Sequence, residues 1–252
     1  MSRSLKLAGK TTQTAGLLMG IMRLGRPVGP AAKWIGWAVA ALWLAGCAYE
    51  VGFQPDYLPN DRPPYVAKGR LLIVMPEDQR QFVYEGAPSS TTGDFTTLTV
   101  PIGQIVQDIA QDVFGGCFAY GVDFVNSREG QDDYVLALEG DMQQFIYSYT
   151  KVIDQGFDGQ QPDAWITPEV SISFAVRAYD RAGAVVLDKV YDSGVKAGES
   201  YLVSGRPAER INRTLHETLH ALMLQVVADI RPLLVDECEI VDAADDDAAP
   251  SP

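Results

Sequence analysis

Apolar and polar positions alternate over residues 170–179, where Val170, Ile172, Phe174, Val176 and Ala178 are interleaved with Ser171, Ser173, Ala175, Arg177 and Tyr179. That period of two predicts a strand with one buried face. Asp180-Arg181-Ala182-Gly183 supplies a turn with a glycine free to take positive φ, and residues 184–191 return as the antiparallel partner. Elsewhere the period changes to that of a helix. Ile102, Ile105, Val106, Ile109 and Val113 form one face of a helix opened by Pro101 and stopped by Gly115-Gly116. A longer helix over about residues 207–234 turns Ile211, Leu215, Leu219, Leu222, Val226 and Ile230 to one side. Residues 69–75 are a continuous apolar run ended by Pro76, as expected of a strand buried on both faces.

Weaker signals fill the gaps. A strand is expected from Tyr134 to about Leu138, resuming over residues 145–149, and a short edge strand over residues 81–85. Residues 86–93 and 154–168 carry Gly, Pro, Ser and Thr and are expected to be loops. The order strand, helix, strand, hairpin, helix predicts an α+β domain, with two long helices on one face of a mainly antiparallel sheet of four to five strands.

The first 46 residues follow a different pattern. No acidic residue precedes Glu50, while Arg3, Lys6, Lys10, Arg23, Arg26 and Lys33 make the segment basic. An apolar run of about 10 residues, Trp34 to Trp43, follows; it is too short for a stable membrane span, which takes about 20, but it suits the h-region of a signal peptide. It ends in Leu44-Ala45-Gly46-Cys47, which resembles a bacterial lipobox. That resemblance implies cleavage before Cys47, lipidation of its thiol and amine, and a stable anchor, since one acyl chain alone binds marginally. Met19 or Met22 would open a signal peptide of more usual length, and Ala48 in place of the aspartate that retains inner-membrane lipoproteins implies the periplasmic leaflet of the outer membrane.

Cleavage would divide the chain by charge. Beyond Cys47 stand 14 basic against 33 acidic residues, a net −19, which disfavours nucleic acid and anionic lipid as partners because no basic patch interrupts it. The expected organisation is a signal peptide over 1–46, a lipidated N-terminus and Pro-rich tether over 47–65, a periplasmic domain over 66–238 and an acidic tail over 239–252. In an oxidising compartment Cys117 and Cys238 are left as an even pair, and a disulfide between them would stabilise by about 4–5 kcal/mol through chain entropy.

The lipobox, the Pro-rich spacer, the early buried strand, the start Asp133-Tyr134-Val135-Leu136, the hairpin at Ala178 to Gly183 and the last long helix together resemble small periplasmic lipoproteins of the YajG and LptE kind and auxiliary lipoproteins of ABC-type transport systems. Only the lipobox is a specific motif. The resemblance implies a non-catalytic role in envelope assembly or transport, with an envelope protein as partner, no cofactor and no catalytic residues.

One motif points elsewhere. His216-Glu217-Thr218-Leu219-His220 matches His-Glu-x-x-His, in which i and i+4 histidines bind zinc and the glutamate serves as general base. These are the only two histidines. A membrane-tethered zinc metallohydrolase is therefore the alternative function. Against it, no third ligand is evident: Met223 and Val226 stand where a metzincin needs glycine and histidine, no helix follows to supply a glutamate, and Arg213 is unusual three residues before the first histidine. The bland expectation places both histidines on the polar edge of an amphipathic helix, with Glu217 exposed. The sequon Asn212-Arg213-Thr214 lies on that helix too, and Asp242, Asp245, Asp246 and Asp247 form a solvated tail without a calcium cage. The aromatic residues Phe145, Tyr147, Tyr149 and Trp165, or a sheet edge, are the candidate partner-binding surface, set against a reading in which the rings complete the core.

Overall fold

The structure is a computed structural model that describes residues 47–59, 65–92, 96–154, 163–202 and 207–240. The signal segment 1–46 and the acidic tail from residue 241 lie outside the described residues. Eleven strands are present among them: β1 Cys47–Glu50, β2 Tyr65–Ala67, β3 Leu71–Val74, β4 Tyr84–Gly86, β5 Thr96–Val100, β6 Val122–Val125, β7 Leu136–Asp154, β8 Asp163–Tyr179, β9 Val185–Ala197, β10 Tyr201–Leu202 and β11 Cys238–Ile240. The helices are a single turn, α1 Glu77–Arg80, then α2 Ile102–Gly115 and α3 Pro207–Ile230, with 3-10 turns at Pro55–Tyr57 and Arg231–Glu237.

The α+β class and the two long helices agree with the sequence, but the sheet is larger and more mixed than four or five antiparallel strands. Six strands form the main sheet, in the order β10-β8-β7-β3-β6 with β9 also on β8; a three-stranded sheet runs β1-β5-β4, and β11 pairs β2. Parallel pairing occurs at β3 with both β6 and β7 and at β1 with β5. The extra strands are short, at two to five residues, so no period could develop in them.

As its apolar run requires, β3 is buried on both faces: Leu71 and Ile73 join the main core under the helices, while Leu72 packs with Tyr134, Ala137 and Tyr179 on the other side. Along α3, Ile211, Leu215, Leu219, Leu222, Val226 and Ile230 all enter the core. The predicted hairpin turn is present, with Gly183 at φ 80°, the Asp180 N–H bonded to Ala184 O at 3.0 Å and Asp180 Oδ1 accepting from the Ala184 N–H at 2.8 Å.

Three further expectations are corrected. The two strand fragments after Tyr134 are one strand, β7, of 19 residues, and β8 begins at Asp163, inside what was expected to be a loop. Pro168 lies within β8 just beyond the last residue paired with β9, and its carbonyl accepts from Gly198 N at 2.8 Å. The second correction concerns the tether. Residues 47–59 belong to the domain, because β1 pairs in parallel with β5 from Cys47↔Thr96 to Glu50↔Thr99, Val51 is buried and the Val51 N–H bonds Thr99 O at 3.1 Å. Residues 60–64 lie outside the described residues. The expected tail is shortened as well, since Glu239 and Ile240 pair with Val66 and Tyr65.

Candidate functional site

The histidine motif sits where the N-terminal segment crosses α3. After β1 the chain runs along the first half of that helix as a strap without ladder partners, and its backbone groups must be satisfied by side chains. Asn212 Nδ2 donates to Gly52 O at 2.8 Å, and one turn later His216 Nε2 accepts from the Gln54 N–H at 3.0 Å. The other ring nitrogen, Nδ1, bonds Asn212 O at 2.8 Å. An accepting Nε2 and a carbonyl opposite Nδ1 together define the neutral tautomer with its proton on Nδ1. Phe53 and Tyr57 enclose the ring at centroid distances of 5.6 and 5.7 Å, and the Arg213 guanidinium lies 5.1 Å from the Tyr57 ring centroid. Burial pushes the His216 pKa down, partly opposed by the Asn212 carbonyl.

Both histidines are therefore core residues, His216 at 0 % and His220 at 2 % exposure, rather than residues of a polar edge; Glu217 is exposed as expected. The reason is that α3 buries two faces. One is the apolar stripe, and the other, Asn212 and His216, is covered by the strap. A zinc ion at Nε2 would have to take the position of the Gln54 N–H, and among the described residues no three His, Cys, Asp or Glu side chains are grouped to hold a metal. The sequon asparagine is equally committed, to Gly52. A groove of about 480 Å³ remains between Tyr49, Val51 and Gln54 on one side and Pro207, Ala208 and Asn212 on the other.

Nor are the candidate aromatic residues one exposed patch. Tyr147 and Tyr149 are buried, the Tyr147 hydroxyl donating to Gly86 O at 2.8 Å, and Phe145 stacks edge-on against Tyr84 with centroids 4.8 Å apart. Burial pushes the Tyr147 hydroxyl up to about 12. These rings complete the core under β4 and β5. Trp165 alone of the four is exposed, at 38 %, near the end of the β7–β8 hairpin. Its neighbours there are Val152, beside the segment read as a loop, and Leu202, on a two-residue strand too short to show a period in the sequence.

The expected Cys117–Cys238 disulfide is also corrected. Cys117 is a buried free thiol whose Sγ lies 3.1 Å from Val113 O, and burial pushes its pKa up to about 12. Strand β2 explains this. Cys238 is paired with Ala67 on one side of β2, while the Ala67 N–H bonds Cys117 O at 2.7 Å on the other. Two strand spacings come to about 9–10 Å between Cα positions, beyond the ~7 Å that a disulfide tolerates.

Neither a protein-family profile nor a curated protein sequence matches this chain. Among solved structures it is similar to one described as a neuraminyllactose-binding hemagglutinin homolog from Helicobacter pylori, with 9 % identity, 71 % of this chain and 96 % of that chain covered, and a TM-score of 0.40. A minor lipoprotein from Acinetobacter baumannii aligns at 10 % identity over 64 % of this chain and 91 % of that one, with a TM-score of 0.27.

Proposed function

We propose that this chain is a non-catalytic lipoprotein anchored through Cys47 to the periplasmic face of the outer membrane, where its α+β domain serves envelope assembly or transport by binding another envelope protein. The observation that carries the reading is Leu44-Ala45-Gly46-Cys47 at the end of a basic and then apolar segment, immediately before a strand that begins with Cys47. Cleavage before Cys47 removes none of the described elements.

The geometry supports binding over catalysis. Both nitrogens of the one histidine with a defined tautomer are engaged, Nε2 by the strap and Nδ1 by the Asn212 carbonyl of its own helix. The partner surface best supported is the outer edge of β9, which pairs only with β8 among the described strands and exposes Val190 at 59 % and Val195 at 69 %. The Gly194 bulge, at φ 58°, and Lys189 and Lys196 interrupt that edge, a pattern that blocks indiscriminate strand addition while leaving short stretches open.

A fatty-acid probe supplied to cells is expected to label the wild-type chain and not Cys47→Ser, and the mature protein is expected to begin at Cys47. Equal labelling of the two overturns the anchor. Photo-crosslinkers at positions 190 and 195 are expected to give one defined protein adduct; only background at both sites argues against the β9 edge.

A further inference from the structure

The segment that begins at Cys47 is fastened to the domain at few points. Among the described strands β1 is the outer strand of its three-stranded sheet, paired with β5 over four residues, and the Val51 N–H adds one bond to Thr99 O at 3.1 Å. From Gly52 onward no described strand pairs with the chain. Its backbone is tied to α3 by two side chains, Asn212 at Gly52 O and His216 at the Gln54 N–H. The 3-10 turn that follows closes on itself, the Tyr57 N–H donating to Gln54 O at 3.1 Å and the Leu58 N–H to Pro55 O at 3.0 Å. Four parallel pairs at a sheet edge hold weakly on their own, since even a two-stranded hairpin is marginal in water. Strand β1 and the strap therefore keep each other in place.

Of the two ties to α3, the one at His216 depends on charge. With its proton on Nδ1, the ring can take a second proton only at Nε2, which converts the acceptor for the Gln54 N–H into a donor aimed at a donor. Nothing bonded to the ring rewards the new charge, because backbone groups engage both nitrogens and leave no ring position for a carboxylate. On α3 itself, Arg213 lies over the Tyr57 ring and adds a like charge, His220 follows one turn on, and Glu217 is exposed. On the strap side Asp56 is exposed, while Glu50 and Glu209 line the groove beside Gln54 and Tyr57. Strand β5 carries no titratable side chain, and α2, packed on α3, carries Asp108 and Asp112, the second of them exposed. Burial lowers the His216 pKa, partly opposed by the Asn212 carbonyl.

We infer that residues 47–58 are an acid-released latch: with His216 neutral they lie closed on β5 and α3, and protonation of His216 frees them as one unit while the rest of the domain stays folded. The sign follows from the two states. Open, His216 has its ordinary pKa of about 6.5; closed, it has a lower one, so the open fraction grows as pH falls below about 6.5, by at most about tenfold per pH unit. Freed and extended, residues 47–58 reach roughly 40 Å. Resting on the anchored reading above, that length is inserted between the acyl chains of Cys47 and the domain, which in the closed state follows the lipid without a spacer. Acid then lets the domain leave the membrane surface, and external protons reach it through the water-filled porins of an outer membrane.

Amide hydrogen exchange followed by NMR on the isotope-labelled chain, purified from cells in detergent micelles, reads the latch residue by residue. After correction for the intrinsic effect of pH, protection of the Val51 and Gln54 amides is expected to fall together by about tenfold or more between about pH 7.5 and pH 5, while amides of β7 and β8 keep theirs. The midpoint is expected to coincide with protonation of His216, followed in the same sample by its ring-nitrogen shifts. In His216→Gln the side-chain carbonyl can accept the same N–H and has no proton to gain, so protection at Gln54 is expected not to vary with pH; should that variant fail to fold, the wild-type ring titration decides. Constant protection at Gln54 overturns the latch. So does a loss shared equally by β7 and β8, which is global unfolding, or a midpoint unrelated to His216. Protection lost at Gln54 but kept at Val51 overturns the lengthened link. Absence of acyl groups on Cys47 overturns the anchor instead, and leaves the latch standing without its effect on reach.

Discussion

The backbone N–H of Gln54 donates to Nε2 of His216 across 162 residues of sequence, at 3.0 Å and in a partly buried setting. With Asn212 Nδ2 on Gly52 O, it fastens the start of the described chain to its last long helix. Removal of residues 47–58 is therefore expected to destabilise the domain by several kcal/mol, since it deletes β1, uncovers the buried face of α3 and leaves Asn212 and His216 without their partners. Chemical unfolding of the truncated and intact domains checks this. Equal midpoints would return the segment to the role of a tether.

His216→Gln is expected to lower stability by about 2 kcal/mol or more, as both ring nitrogens and the packing of Phe53 and Tyr57 are disturbed. Glu217→Gln, on the exposed side, is expected to stay within about 0.5 kcal/mol of wild type. A zinc site reverses the expectation that metal has no effect: stoichiometric zinc lost on mutation, and a melting temperature raised by added zinc, would establish one.

The cost of His216→Gln should depend on pH with a definite sign. Burial lowers the folded-state pKa of His216 below its unfolded value of about 6.5, so the folded protein binds fewer protons there than the unfolded chain. Its contribution is complete above about pH 6.5 and is lost as pH falls through the lowered folded-state pKa. The stability difference between wild type and H216Q is expected to be greatest near pH 8 and to narrow by up to ~1.4 kcal/mol per pH unit in acid. A difference that stays constant from pH 8 to 5 removes the argument.

Cys117 is expected to resist alkylation in the native protein at pH 8 and to react without added reductant once the chain is denatured. Mass spectrometry of the two samples distinguishes this from a disulfide, which leaves Cys117 unmodified until reductant is added.

Contact with backbone makes Gly103 a stringent position in α2. A Cβ there would meet the carbonyl oxygens of Gln79 and Arg80, where α1 abuts α2, and neither can withdraw as a flexible side chain would. Gly103→Ala is expected to cost roughly 1–3 kcal/mol in a thermal melt, against the slight gain that alanine gives in an unobstructed helix.

What was legible in the sequence depended on the length of each periodic segment. The 14 residues of α2, the 24 of α3 and the alternation from Val170 to Tyr179 gave enough turns or pleats to reveal their buried faces. Strands β1, β2, β6 and β11, at three or four residues, held no period, and their pairing depends on segments far away in the chain. Proline and glycine misled at the hairpin end, since Pro168 sits inside β8 at the point where its neighbour β9 ends, a place where a strand tolerates proline. The histidines were misplaced for a related reason. A helical wheel identifies one apolar face, and the second buried face of α3 is polar because it binds backbone, so only the strap explains Asn212 and His216. The residues bordering Trp165 were obscured with the strand that carries them.

The union of β1 and the strap with α3 also bears on the order of assembly. A ribosome delivers Gln54 long before His216, so the hydrogen bonds to α3, unlike the pairing of β1 with the nearby β5, wait until nearly the whole domain has been synthesised. Closing so long a loop is entropically slow. The nascent chain therefore lacks its final clasp until its C-terminal helix arrives, which keeps it unfolded, and able to thread through a narrow passage, for most of its synthesis.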